Sequence, residues 1–149
     1  MVPSFLATIV SYLVEKRINM RILSLFANIG VAEARLNEID GVEVVVANEM
    51  VPRRAKLYQQ IYPHSNMICG DILDDNIYRQ VITCSLARHV DVVMATPPCQ
   101  GISTAGQQIE GDERNSLTIP AIHAISDLLP RYAVLENVPG YLKTGILHD

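Results

Sequence analysis

Apolar and polar residues follow a repeating block pattern along this chain from residue 20 onward. Short apolar runs alternate with segments in which apolar residues recur every three or four positions. This order is typical of βαβ units and a parallel sheet. The predicted strands are residues 22–26, 43–47, 66–69, 90–95 and 132–136. We therefore expect an α/β fold with a doubly wound, mainly parallel sheet.

Helices are predicted between these strands. Their expected bounds are residues 31–39, 52–63, 74–86 and 118–129. An apolar stripe on the second helix marks the face that should pack on the sheet: Val51, Ala55, Tyr58 and Tyr62. Pro52 opens this helix and Pro120 lies in the first turn of the last one. Proline is tolerated there because the first amides of a helix have no intrahelical partner.

We expect residues 1–19 to form an N-terminal extension ahead of a partial domain over residues 20–149. The apolar part, residues 3–14, is shorter than a membrane span, and it has neither a basic start nor a small-residue cleavage site. We predict an amphipathic helix from Ser4 to Arg17 that packs on the domain, and Met20 is an alternative start. No association with a membrane is expected.

Composition adds the broad class of the protein. The chain has 149 residues, of which 49% are apolar, enough for the core of one domain. The net charge of -4 argues against coating nucleic acid by charge alone but does not exclude a DNA enzyme. The three cysteines form no Cys-x-x-Cys pair, which favours a reduced, cytoplasmic setting. Cys69 and Cys84 are expected as small core residues, and no metal-ligand set is recognised.

The segment Ala-Thr-Pro-Pro-Cys-Gln-Gly-Ile-Ser, residues 95–103, follows the fourth predicted strand. It sets Cys99 at the carboxyl end of a strand, where α/β enzymes place their nucleophiles. Pro97 and Pro98 fix two φ angles, so covalent structure largely determines the shape of this loop. Cys99 is therefore the candidate nucleophile.

Other candidate residues also lie at the ends of predicted strands. Phe26, Asn28 and Gly30 belong to the turn after the first strand, Glu49 ends the second, and Asp71 follows the third. A carboxylate after the second strand suits the hydroxyls of a ribose, and Asp71 could accept from an adenine amino group. Each residue alone also fits an ordinary turn or cap. Their common position favours a cofactor that contains a nucleotide.

These motifs together resemble the DNA (cytosine-5)-methyltransferase family. The turn after the first strand resembles the family's S-adenosylmethionine loop, the Pro-Pro-Cys-Gln segment its nucleophile loop, and residues 136–138, Glu-Asn-Val, its acidic motif. The resemblance implies a Rossmann-like S-adenosylmethionine-dependent methyltransferase fold. It implies these cofactor contacts: Phe26, Asn28, Gly30, Glu49, Asp71, Ile72 and Pro97. It implies these substrate contacts: Gln100, Ser103, Arg114 and Asn137.

The same resemblance implies a covalent mechanism at a cytosine that is flipped out of duplex DNA. Cys99 would add to position 6 of the base, and Glu136 would hydrogen-bond the ring nitrogen and the exocyclic amine. Residues 103–113, which contain glycines, would form the lid over the base. The expected activity is that of a restriction-modification enzyme acting on double-stranded DNA.

The family's later motifs, its target-recognition domain and the closing strands of its sheet come after the part that this chain resembles. We therefore expect a sheet that is incomplete at the C-terminus and a complementing C-terminal polypeptide as a possible partner. Residues 4–17 are a candidate substitute for the family's terminal helix. Two other functions stay open: an RNA cytosine-5 methyltransferase, and a non-catalytic remnant or subunit.

Overall fold

A computed structural model describes residues 19–98 and 117–137. Within these ranges the chain forms a parallel sheet of five strands and the helices that connect them. The strands are β1 (Met20–Leu25), β2 (Val42–Glu49), β3 (Asn66–Cys69), β4 (Val92–Ala95) and β5 (Tyr132–Leu135). The helices are α1 (Pro52–Ile61), α2 (Asp75–Ala87) and α3 (Thr118–Leu128).

The strand order in the sheet is β3-β2-β1-β4-β5, and every pair is parallel. The chain moves outward from β1 to β3, then crosses to the other side of β1 for β4 and β5. In such doubly wound sheets, ligands bind at the carboxyl ends of the strands where the direction reverses. That point lies between β1 and β4, which pair from Ile22 with Val92 to Leu25 with Ala95.

The three central strands, β1, β2 and β4, are buried along most of their length. Successive side chains of a strand point to opposite faces, so these strands contribute to clusters on both faces of the sheet. On one face, Leu23 and Leu25 of β1 pack in a cluster with Val81 of α2 and Ala121 of α3. On the other face, one cluster joins Met20 and Ile22 to Leu36, and another joins Ala47 to Tyr58 and Tyr62 at α1. The doubly wound α/β prediction is confirmed.

The helix predicted over residues 31–39 is wrong. This segment consists of turns and one 3-10 helix, Leu36–Glu38. Its backbone bonds link residues three apart, such as the Leu36 amide to the Glu33 carbonyl at 2.8 Å. Such a short helix is marginal without tertiary support, and here the Glu33 side chain is drawn into a buried contact with Ser24 on β1. Tertiary contacts therefore override the local periodicity.

The other predicted elements are found with small shifts of their ends. Asp74 caps α2, accepting hydrogen bonds from the amides of Asn76 at 2.7 Å and Ile77 at 3.4 Å. The prediction of a core position is wrong for Cys69, which is exposed, whereas Cys84 is partly buried and packs against the core. Residues 1–18 of the predicted N-terminal extension lie outside the described residues. No helix within residues 19–98 and 117–137 is long and apolar enough to cross a membrane.

Candidate functional site

The turn after β1 contains three residues with left-handed backbone conformations. Phe26 has φ of 59°, Asn28 of 52° and Gly30 of 84°. Glycine adopts this region freely and asparagine tolerates it, whereas a left-handed phenylalanine costs roughly 1–2 kcal/mol. Such strain persists only where surrounding contacts enforce it, and it concentrates at functional sites. We call residues 26–33 the cofactor turn, after the role that the sequence predicts for its first residues.

Tyr62, at the C-cap of α1, holds the middle of the cofactor turn. Its hydroxyl donates a hydrogen bond of 2.7 Å to the carbonyl oxygen of Gly30. Its ring occupies the space that a Cβ at Gly30 would need. Glycine is therefore required at position 30 for two reasons, its positive φ and its contact with the tyrosine ring.

Glu49, the last residue of β2, is 6% exposed and binds the cofactor turn. Its Oε2 accepts a hydrogen bond of 2.9 Å from the amide of Asn28, and its Oε1 accepts one of 2.8 Å from the amide of Val51. The Arg54 Nη1 lies 3.9 Å from Oε1. A carboxylate offers about four acceptor sites, so Glu49 can support the turn and still accept from a ligand.

Asp71 and Ile72 follow β3 and differ in burial. Asp71 is exposed, and its Oδ1 accepts a hydrogen bond of 3.0 Å from the amide of Leu73, which forms an Asx turn. Ile72 is 4% exposed and packs in the core beside α2. The position of Asp71 thus depends on a buried neighbour and on its own turn.

Asn48 is a site-supporting residue that sequence reasoning missed. It is 2% exposed, and its side-chain amide donates to the carbonyl oxygens of Ile68 at 2.9 Å and Gly70 at 3.1 Å. These bonds fix the end of β3 immediately before Asp71. A polar residue inside the apolar run of β2 was the available signal, because buried amides are retained where they are hydrogen-bonded.

The carboxyl ends of β4 and β5 complete the described part of the site. Thr96 connects the end of β4 to the end of β1 and the cofactor turn. Its amide donates a hydrogen bond of 3.4 Å to the carbonyl oxygen of Leu25. Its Oγ1 donates one of 3.4 Å to the carbonyl oxygen of Phe26. Pro97 is buried next to it. The amide of Glu136 donates to the Ala95 carbonyl oxygen at 3.0 Å. The backbones before Cys99 and at Glu136 are therefore neighbours.

Several predicted site residues lie outside the described residues: Cys99, Gln100, Ser103 and Arg114. Those that the structure does describe follow neighbouring strands at one edge of the sheet, as predicted. Glu136 is exposed, and Asn137 is partly buried and has an interaction partner. In the described part of the chain, no cluster of His, Cys, Asp and Glu could hold a metal ion.

Residues 20–145 match the family model described as C-5 cytosine-specific DNA methylase. The chain is 41% identical over 136 residues to the type II methyltransferase M1.HgaI of Avibacterium volantium. That match covers 88% of this chain and 38% of the relative. The chain therefore spans well under half of that protein.

Two solved structures have a similar fold. One is a prophage-encoded protein of E. coli described as a DNA modification methyltransferase, with a TM-score of 0.67 and 24% identity. The other is a mutant of Spodoptera frugiperda DNMT2, with a TM-score of 0.60 and 23% identity. Each likeness covers 87% of this chain, and 36% and 38% of the respective structures.

Proposed function

The chain belongs to the C-5 cytosine-specific DNA methylase family, and on that premise we propose that it is the cofactor-binding and nucleophile-bearing part of a DNA (cytosine-5)-methyltransferase of a restriction-modification system. The protein would transfer a methyl group from S-adenosylmethionine to cytosine in double-stranded DNA in the cytoplasm. Residues 1–19 would be an extension outside this domain.

One observation carries the proposal most directly. The cofactor turn contacts both neighbouring strand ends, through the Asn28 amide to Glu49 on one side and the Phe26 carbonyl to Thr96 on the other. Thr96 is three residues from Cys99 in sequence. A cofactor held by the turn and Glu49 would therefore lie next to the loop of the proposed nucleophile, at the point where doubly wound sheets bind ligands.

The described residues fit S-adenosylmethionine. Glu49 retains acceptor capacity for the ribose hydroxyls, and Asp71 is exposed and can accept from the adenine amino group. Met50 and Leu73, which follow these strand ends, are 58% and 56% exposed and offer apolar surface to the adenine ring. Phe26, Asn28, Gly30, Ile72 and Pro97 would complete these contacts. The bound cofactor supplies an electrophilic methyl group.

In the proposed chemistry, the Cys99 thiolate forms a bond to C6 of cytosine, and the electron pair of the C5–C6 double bond becomes available at C5. Glu136 hydrogen-bonds N3 and the exocyclic amine, which stabilises the charge that develops on the ring. C5 would then accept the methyl group that the bound cofactor supplies, and the electron pair of the broken S–CH3 bond would stay on the sulfur of the departing cofactor. A base removes the C5 proton, the double bond re-forms and the thiolate leaves.

The target base must leave the duplex to expose C6. Gln100, Ser103, Arg114 and Asn137 would contact the extruded nucleotide and the adjoining strand, and residues 103–113 would close over it. These assignments come from the family motifs at those positions. The recognition sequence would be set by a segment equivalent to the part of M1.HgaI that this chain does not match.

Strand β5 supports a complementing polypeptide as partner. It pairs with β4 on one side, and no other described strand pairs with it. Tyr132 and Leu135 are 44% and 42% exposed, and an apolar strand with a free edge can pair with a further strand. We infer that a segment equivalent to the rest of M1.HgaI supplies a further strand that pairs with β5. This segment would belong to the same polypeptide or to a second subunit. Copurification with that segment, weakened by Leu135→Lys, would support this partner, whereas failure to copurify would count against it.

Calorimetric titration with S-adenosylmethionine tests the cofactor. We expect the wild-type chain to bind it. The affinity of Glu49→Ala should be at least about tenfold lower, because the variant loses one charged hydrogen bond to the cofactor. Glu43→Ala is the matched control, because Glu43 lies exposed on the same strand. A folded wild-type chain that does not bind S-adenosylmethionine would favour the alternative that the chain is a non-catalytic remnant.

Covalent trapping tests the reaction. A 5-fluorocytosine duplex and S-adenosylmethionine should give a stable adduct, because fluorine at C5 prevents the final elimination. Cys99→Ala should abolish the adduct, and Cys69→Ala, which alters an exposed cysteine, should keep it. The chain is tested alone and with the complementing segment. An adduct with RNA but not DNA would favour the RNA methyltransferase alternative.

A further inference from the structure

Glu33 is a fully buried acidic residue that the proposed mechanism does not use. It follows Gly30 by three positions in the cofactor turn, and its relative exposure is 0%. The hydroxyl of Ser24 on β1 donates a hydrogen bond to its Oε1. No Lys, Arg or His forms an ion pair with it in the described ranges. A buried carboxylate without a cation is strongly disfavoured in its ionised form.

Three buried oxygen atoms lack a hydrogen-bond partner in this part of the described structure: Oε2 of Glu33, the hydroxyl of Tyr58 and Oγ of Ser65. Tyr58 interacts with both Glu33 and Ser65, although neither contact has full hydrogen-bond geometry. Burial raises the pKa of Glu33 above 4.5, and burial followed by the charge of Glu33 raises that of Tyr58. The local environment therefore favours a proton on Glu33.

A proton on Oε2 would allow these atoms to pair. The protonated Oε2 can donate to the Tyr58 hydroxyl, whose own hydrogen can then be donated to Ser65. Ser24 already donates to Oε1. The carboxyl group would thus be linked to β1 through Ser24 and to α1 through Tyr58.

Helix α1 then holds the cofactor turn at two points. Tyr58 contacts Glu33, and Tyr62 binds the Gly30 carbonyl, with the two rings 4.7 Å apart. Glu49 holds a third point, the amide of Asn28. The cofactor turn is therefore fixed at Asn28, Gly30 and Glu33 by separate side chains.

We propose that Glu33 is a positioning residue which, as an un-ionised carboxyl group joined to Ser24 and Tyr58, holds the cofactor turn in the conformation that binds S-adenosylmethionine. This role rests on the proposed function for its ligand. Its structural part, the fixing of the turn, is independent of any cofactor.

Hydrogen exchange of the chain without cofactor tests the structural part. In Glu33→Ala, the amides of Asn28, Gly30 and Leu36 should exchange about tenfold faster, because the turn loses a buried anchor. Glu33→Gln should exchange like the wild type, because its amide can accept from Ser24 and donate to Tyr58. Glu38→Ala is the control, since Glu38 lies on the same segment but pairs on the surface with Arg35.

Two results would overturn the proposal: wild-type exchange of the turn in Glu33→Ala, or exchange in Glu33→Gln as fast as in Glu33→Ala. If Glu33→Ala does not fold, Tyr58→Phe serves instead, since it removes only the hydroxyl. It should loosen the turn, whereas Tyr78→Phe, which loses a bond to Asp127 on α3, should not. An unchanged turn in Tyr58→Phe would also overturn the proposal.

Calorimetry of the same variants tests the link to the cofactor. S-adenosylmethionine affinity should fall about tenfold in Glu33→Ala and stay at the wild-type value in Glu33→Gln. Equal affinity in Glu33→Ala and wild type would overturn the positioning role. If the folded wild type does not bind the cofactor, the proposed function fails, and the exchange data still decide whether Glu33 fixes the turn.

Discussion

The backbone amide of Asn28 donates a 2.9 Å hydrogen bond to Oε2 of Glu49, which joins the turn after β1 to the end of β2. Glu49 thus has a structural partner before any ligand binds. The residue expected to contact a ribose also shapes the loop that would surround the cofactor. Substitutions at position 49 should therefore change both folding stability and ligand affinity.

Glu49→Gln should lower the free energy of unfolding by about 1.5–3 kcal/mol, since the single acceptor oxygen of glutamine cannot serve both the Asn28 and Val51 amides in the same way. Glu49→Ala should cost more, because both amides lose their partner. Urea denaturation measures these changes. Glu43→Gln, on the exposed side of β2, should stay within about 0.5 kcal/mol of wild type. Equal stabilities of the two glutamine variants would refute a structural role for Glu49.

Gly30→Ala should destabilise the fold by roughly 2–4 kcal/mol, from the left-handed φ and the collision with the Tyr62 ring. Gly41→Ala is the matched control for the cost of the left-handed backbone conformation, because Gly41 has φ of 81°. In a double-mutant cycle, Tyr62→Leu should recover part of the Gly30→Ala loss, with a coupling of about 1 kcal/mol. Additive effects at positions 30 and 62 would contradict the collision.

Asn48→Ala should cost about 2–4 kcal/mol, because the carbonyl oxygens of Ile68 and Gly70 lose their donor and a small cavity forms. It should also weaken S-adenosylmethionine binding, since the end of β3 positions Asp71. Denaturation and calorimetry measure the two effects. Asn66→Ala, at an exposed asparagine of β3, is the control. A loss of stability at position 66 as large as that at position 48 would argue against a specific role for Asn48.

The sequence predicted the sheet and three helices because their periodicity follows directly from burial, as in the Ala55 and Tyr58 stripe of α1. It also predicted that Glu49 and Asp71 lie at the carboxyl ends of neighbouring parallel strands, β2 and β3, whereas their roles in binding stay a prediction. It could not predict the contact between Glu33 and Ser24, which lie nine positions apart and meet only after the turn has folded. The helix predicted over residues 31–39 failed for the same reason.

The roles of Asn48 and Glu33 show why such positions are difficult to read. Each side chain is polar yet buried, and its partners come from other elements, β3 for Asn48, and β1 and α1 for Glu33. A local pattern assigns polar residues to the surface. The fold shows that Asn48 donates to the carbonyl oxygens of Ile68 and Gly70 and that Glu33 accepts from Ser24, which are contacts between separate elements.

The pH dependence of stability should reveal the protonation of Glu33. Because its folded pKa is raised above 4.5, its contribution to stability is complete below about pH 4.5 and is lost as pH rises through the folded value. Relative to Glu33→Gln, the wild type should lose up to about 1.4 kcal/mol per pH unit over that window. Burial also raises the pKa values of Tyr58 and Tyr62 above 10.0, so these neighbours stay un-ionised there.

Glu33→Ala separates this titration from packing. It lacks the carboxyl group as Glu33→Gln does, so the two variants should differ in stability by a constant amount at every pH. Both variants should therefore differ from the wild type by the same slope of unfolding free energy against pH. That difference in slope measures the titration of Glu33. Urea midpoints measured from about pH 4 to pH 9 give the three curves. A wild-type curve parallel to both variants would mean that folding does not change the affinity of Glu33 for its proton, because a raised folded pKa requires the curves to diverge as pH rises.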